Sequence, residues 1–239
     1  MTYITYFLIY SLLGWCTEVI YATLKTGKFI NRGFLNGTWC PIYGCGMVLV
    51  LLALGNIDNI LLVFIGSIIL TTSIEFITGF VLEKFFHNKW WDYSKEPFNI
   101  KGYICLKFSL LWGLGVLFIL RIVHPTIANL VDLIPNLILT IILVILAIAF
   151  IVDLILTVSQ LLKLNQRYKQ IDTLSLRLRE SSDLIGEKIS NVTEITSEKL
   201  EELKQRIHSS RLVKAFPNLK IKLEEFKEDF KEKINTIKK

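Results

Sequence analysis

Residues 75–113 read EFITGFVLEKFFHNKWWDYSKEPFNIKGYICLKFSLLWG. The stretch opens inside one apolar run and closes inside the next. A loop crowded with aromatic, amide and charged residues lies between them. Glu75 sits within the first run and Lys107 within the second. A charge near the centre of a bilayer costs roughly 2.5–3.5 kcal/mol on insertion scales, so apolar spans normally exclude such residues. Their presence marks a membrane protein with a polar interior, and it marks these positions as ones with a use.

Working outward, further runs have the length a membrane helix needs, about 20 residues. The reading gives an all-α, polytopic membrane helix bundle of five spans: 3–24, 40–56, 60–82, 104–121 and 137–158. The first begins almost at the chain start, with no basic region before it and no small-residue cleavage site after it. It reads as a retained helix rather than a signal peptide. The second is short, because its apolar run covers only 40–54, and Pro41 suits a first helical turn. The motif HPTIANLVDLIP (124–135) reads as a connection broken by Pro125 and Pro135.

Five spans are favoured by charge. Lys25, Lys28 and Arg32 follow the first span, and Lys84, Lys89, Lys95 and Lys101 follow the third. The remaining connections hold Asp58, and then Arg121, His124 and Asp132. Under the positive-inside rule the basic segments share the cytoplasmic side only if the chain crosses five times, with its amino terminus outside.

That topology gathers polar groups. Glu18, Glu75, Lys107 and Asp153 fall in the cytoplasmic halves of their spans. Arg32, Asn36, Tyr43, Glu83, Asp92, Asn99 and Lys101 lie in or beside the adjoining inner segments. Together these are the candidate lining of an inward-facing polar cavity. In an apolar medium such groups should pair or meet water, and Glu75 with Lys107 is the expected pair.

Composition sets a boundary near residue 160, dividing a transmembrane domain (1–160) from a helical tail (161–239). Of 27 Lys and Arg, 18 lie in 163–239, as do 13 of the 21 acids, which leaves the tail at +5. Apolar residues keep helical spacing through Leu164, Ile171, Leu174 and Leu178, and again from Ile185 to Ile207. A second stripe follows Pro217, from Leu219 to Ile237. This is an amphipathic, cytoplasmic tail suited to self-association with another helix. Interleaved acids argue against docking on an anionic leaflet. Nucleic acid is not expected as a partner, because the basic charge is locally neutralised and no stacking platform accompanies it.

Motifs for chemistry are missing. The chain has no P-loop, no G-x-S-x-G, no H-E-x-x-H and no paired Cys ligands. His87, His124 and His208 fall in separate places. Cys16, Cys40, Cys45 and Cys105 have no metal-ligand spacing and read as reduced thiols. No metal or cofactor is expected, and these motifs identify no catalytic residue.

Five stretches carry a resemblance: GWCTEVIY (14–21), NRGFLNGTWCPIYGCG (31–46), EFITGFVLEKFF (75–86), WWDYS (90–94) and NIKGYICLKFSLLWG (99–113). They resemble the CmpB-like family of type IV ABC-transporter proteins, over roughly the first 120 residues. The resemblance implies a multi-pass protein of the cell membrane that acts as a transporter permease component. Lacking a P-loop, such a chain would work with a separate ATPase subunit. Two other readings of the residues stay open: a lipid-binding protein or lipid-modifying enzyme using Glu18, Glu75 and Arg32 at the cytoplasmic leaflet, and a membrane scaffold.

Overall fold

The computed structural model describes residues 2–86, 89–184, 202–203, 205–207 and 209–215. The chain divides into two units, Met1–Thr157 and Val158–Lys239. The first unit is a bundle built from α1 (Thr2–Thr26), α2 (Pro41–Leu54), α3 (Ile60–Phe86), α4 (Leu106–Phe118), α5 (His124–Asp132) and the first part of α6 (Asn136–Leu184). Among the described residues, four stretches are long and apolar enough to cross a membrane: Thr2–Thr26, Ile60–Phe86, Leu106–Asp132 and Asn136–Leu164. Their outward faces carry rows of uncovered aliphatic side chains, among them Ile60, Leu61 and Leu62, and Ile145, Ile148 and Ile151. Water would penalise such surfaces, whereas lipid accepts them.

Local chemistry sets the helix ends. Asn59 precedes α3, and its side-chain oxygen accepts from the main-chain N–H groups of Leu61 (3.0 Å) and Leu62 (3.2 Å). This is an N-cap that satisfies two donors the helix itself leaves over. Pro41 occupies the first turn of α2, where its missing N–H costs nothing.

Three expectations change. The fourth span does not end at residue 121. A π-helical turn, Ile119–Val123, joins α4 to α5 without a break, so most of the expected connection is helix. The widened turn directly precedes Pro125, whose ring and missing N–H obstruct regular α-helical bonding there. The last helix likewise runs past residue 158, as far as Leu184. The bundle is also not purely helical. Between α3 and α4 a small antiparallel hairpin pairs β1 (Asn99–Ile100) with β2 (Ile104–Cys105). In the second unit, α7 (Arg211–Ala215) is short. The stripes expected over 185–200 and 219–237 lie outside the described residues.

The two ends of the bundle differ in chemistry. At one end Tyr6, Tyr10, Met47, Val50, Leu54, Val116 and Val131 form a buried apolar cluster, with Leu139 packed against it. Tyr10 shares a hydrogen bond with His124 Nδ1 (3.0 Å), and the Tyr6 ring meets His124 edge to face at 4.7 Å. Arg121 closes the α2–α3 turn by donating to the carbonyls of Ile57 and Asp58, both at 2.9 Å. The opposite end holds the acids and the long irregular segments.

The second segment of the bundle is unusual. The main-chain N–H of Cys40 donates to Ser11 O (3.0 Å), so α2 begins beside the middle of α1 rather than at its end. A Cβ added at Gly14 would strike the Tyr43 ring, and one at Gly44 would strike Ser11 and the Phe7 carbonyl. Glycine at these two positions lets the helices approach closely. Residues 27–40 therefore run back alongside the second half of α1 without helical structure, and the 14-residue α2 continues from there.

Candidate functional site

The irregular segment 27–40 is held by side chains from two helices. Trp15 Nε1 donates to Asn31 Oδ1 (2.8 Å), which also accepts from Gly33 N (3.1 Å). Asn31 Nδ2 donates to Asn36 O (2.7 Å) and closes the turn. Asp153 on α6 then accepts from the main chain, with Asn36 N at 3.1 Å on one oxygen and Gly37 N at 2.7 Å on the other. Thr157, one turn further along α6 and fully buried, accepts from Asn36 Nδ2 (2.9 Å). Backbone groups in an apolar environment need such partners, and a carboxylate is the strongest acceptor available.

Two further acids stand at the same depth. At about 1.5 Å per residue, Glu18, Glu75 and Asp153 each lie about 22–26 Å from the apolar-cluster end of their helices. Glu18 is fully engaged. It accepts from the Tyr43 hydroxyl (2.8 Å) and faces Arg32 Nε at 3.6 Å, and the Arg32 guanidinium rests over the Tyr21 ring at 5.2 Å.

Glu75 is different. It is 7% exposed, and its Oε1 accepts from the Tyr93 hydroxyl (3.0 Å). The Trp112 indole lies within reach of the same carboxylate, yet Oε2 makes no hydrogen bond of acceptable geometry. No cation among the described residues pairs with it. Tyr93 stacks on Phe108 (4.7 Å), and Trp112 meets the Tyr43 ring edge to face (5.7 Å). Tyr43 thus links the Glu18 and Glu75 neighbourhoods. Burial, and next the Glu75 charge, hold the Tyr93 phenol well above the ordinary tyrosine range, so it stays a neutral donor.

The expected Glu75–Lys107 pair does not form. Lys107, on the first turn of α4, points outward with its side chain 59% exposed, and pairs with Glu96 at 3.5 Å. Several other candidates also serve the loop between α3 and α4 instead of the cluster. Glu83 faces Lys89 at 3.9 Å. Asp92 is exposed and accepts from Ser94 N (3.0 Å). Asn99 braces the hairpin, donating to the carbonyls of Ser94 (3.2 Å) and Glu96 (2.8 Å). Lys101 is exposed at φ 53, in the left-handed region of a tight turn. Trp91, which donates to Tyr103 O (2.8 Å), packs with Tyr103 against Gly79 of α3 and seats this loop. His87 and His208 lie outside the described residues.

Sequence reading therefore identified the three acids, Arg32, Asn36 and Tyr43, but missed Tyr93, Trp112 and Thr157 as members of the same cluster. The signal for Thr157 was present, since it lies one helical turn from Asp153. Tyr93 gave no such signal, because its loop folds back over a distance that helical spacing does not register.

The segment that supplies this cluster matches a known family. The sequence model described as "Putative ABC-transporter type IV" fits residues 5–158, more than half of the chain. The chain belongs to this family. It is a membrane protein related to ABC transporters. The family match ends just past Thr157, so the type IV region includes every member of the Asp153, Glu18 and Glu75 neighbourhoods. No curated protein and no solved structure matches the chain.

Proposed function

We propose that this chain is the permease-type component of a transporter, crossing the cell membrane five times and working with a separate ATPase subunit. In this reading the second crossing is composite. Residues 27–40 make its inner half, and α2 makes the outer half. The observation that carries the reading is the Cys40–Ser11 hydrogen bond, which puts a helix start and an irregular backbone at mid-bundle. Non-helical backbone at membrane depth is tolerated only when it is buried in protein or lines a polar cavity. Transporter binding sites recur where helices are broken in this way. Here the break is flanked by Glu18 and Glu75.

Charge supports the orientation. The end with the acids also bears Lys25, Lys28, Arg32, Lys84, Lys89, Lys95 and Lys101, which assigns it to the cytoplasm. The tail then emerges on the ATPase side. The pairing of Arg32 with Glu18 weighs against the lipid-enzyme reading, because a committed guanidinium is a poor phosphate clamp.

The test is gentle isolation from the native membrane followed by mass spectrometry. A stoichiometric ATPase is the expected companion. A lone chain that retains phospholipid would overturn the transporter reading in favour of lipid handling.

A further inference from the structure

Glu75 is the one acid of the cluster whose surroundings do not account for it. Glu18 has a tyrosine and an arginine, and Asp153 has two main-chain donors. Glu75 has the Tyr93 phenol on Oε1 and the Trp112 indole close by, while Oε2 is buried with no hydrogen bond of good geometry among the described residues. Lys107, the base expected to face it, is paired with Glu96, and Arg32 is paired with Glu18. In apolar surroundings an ionised carboxylate calls for a positive partner.

The surroundings define what that partner is. A hard metal ion needs a shell of several oxygens, and among the described residues no group of three His, Cys, Asp or Glu can hold one. An anion is repelled by Glu75 and Glu18. The groups beside Glu75 are aromatic, Tyr93 and Trp112, each backed by another ring: Tyr93 stacks on Phe108, and Trp112 meets Tyr43. A carboxylate beside aromatic rings is the combination that recognises an alkylammonium ion, the carboxylate taking the N–H and the rings taking the diffuse charge and the alkyl surface.

We infer that Glu75 binds an organic ammonium cation, its free Oε2 accepting the ammonium N–H, with Tyr93, Phe108, Trp112 and Tyr43 forming the wall. The inference deepens the transporter reading by naming its substrate class, and it rests on that reading only for the word substrate. Binding itself is a property of this chain alone.

The experiment is calorimetric titration of the full chain in nanodiscs with ethylammonium chloride, using sodium chloride as the competitor. Wild type should show saturable binding that sodium does not displace. Glu75→Gln should weaken it by about tenfold or more, since the charge of a buried pair is removed, while still offering Tyr93 an acceptor. Tyr93→Phe keeps the carboxylate and should bind at least as tightly as wild type, which provides a second readout should Glu75→Gln not fold. Absence of saturable heat, equal affinity in Glu75→Gln, loss of binding in Tyr93→Phe, or displacement by sodium would each overturn the inference. A missing ATPase partner would not affect it, so the two readings fail separately.

Discussion

Asp153 and Glu75 are acids at matching depth on different helices, yet they are used in opposite ways. Asp153 spends both oxygens on main-chain N–H groups of residues 36–37 and so fixes the irregular segment to α6. Glu75 spends one oxygen on a tyrosine and keeps the other unbonded. An intramembrane acid is therefore not in itself evidence of a ligand site. What separates fastening from function is whether the protein's own donors saturate the carboxylate.

Four measurements can break or sharpen that contrast. The largest effect is expected for Asp153→Ala, which leaves the Gly37 N–H without its acceptor and the Asn36 N–H with only the longer bond to Thr157 Oγ1 (3.3 Å). Unsatisfied buried donors cost about 1–3 kcal/mol each, so a loss of about 3 kcal/mol should appear in unfolding of the detergent-solubilised protein. Faster maleimide labelling of the buried Cys40 should accompany it. A neutral result would remove Asp153 as the fastening.

Next comes Tyr93→Phe, which takes the phenol hydrogen bond from a buried carboxylate and should cost about 2 kcal/mol. Its pH dependence has a definite sign. The folded Tyr93 phenol ionises above the ordinary tyrosine value, so the fold favours the neutral form. That contribution is complete below about pH 10 and is lost as the pH rises further. Of the eight tyrosine ionisations followed by tyrosinate absorbance, one of the delayed ones in wild type should be missing from the Phe variant. An unshifted titration would argue that Tyr93 lies open to water.

Glu75→Gln is expected to change stability by less than about 1 kcal/mol, because the amide oxygen still serves Tyr93 and no buried charge remains. A loss as large as that of Asp153→Ala would place both acids in the same structural class and dissolve the comparison. The smallest effect belongs to Lys107→Gln. Its pair with Glu96 is largely exposed and should contribute under about 0.5 kcal/mol to unfolding. A large loss would restore the pairing that the sequence suggested.

The sequence made the membrane bundle legible because apolar run length and charge placement are properties of short windows. It was enough to place Glu18, Glu75 and Asp153 at one end. It could not assign their partners. Lys107 looked like the partner of Glu75 because the two are symmetric about one loop, but the first turn of α4 directs Lys107 outward to Glu96. Tyr93 was not picked out, because nothing in WWDYS reveals that the loop folds back onto α3. Pro125 looked like a helix end because a proline normally obstructs the ladder, and the π turn ahead of it carries no pattern of its own. The shortness of α2 was visible at once. The reason lay in a single long-range contact, Cys40 to Ser11, which periodicity does not encode.

That π turn has a consequence for sequence change in this family. An α-helix advances about 100° per residue, and a widened turn absorbs one residue more than its neighbours do. Removing one residue from 119–123 would let the ladder close in regular α form and leave everything beyond it facing as before, with His124 still against Tyr6 and Tyr10. In a regular helix the same loss would turn everything beyond it by about 100°. At this point in the chain a change in length is absorbed, and the facing of α5 is buffered against it.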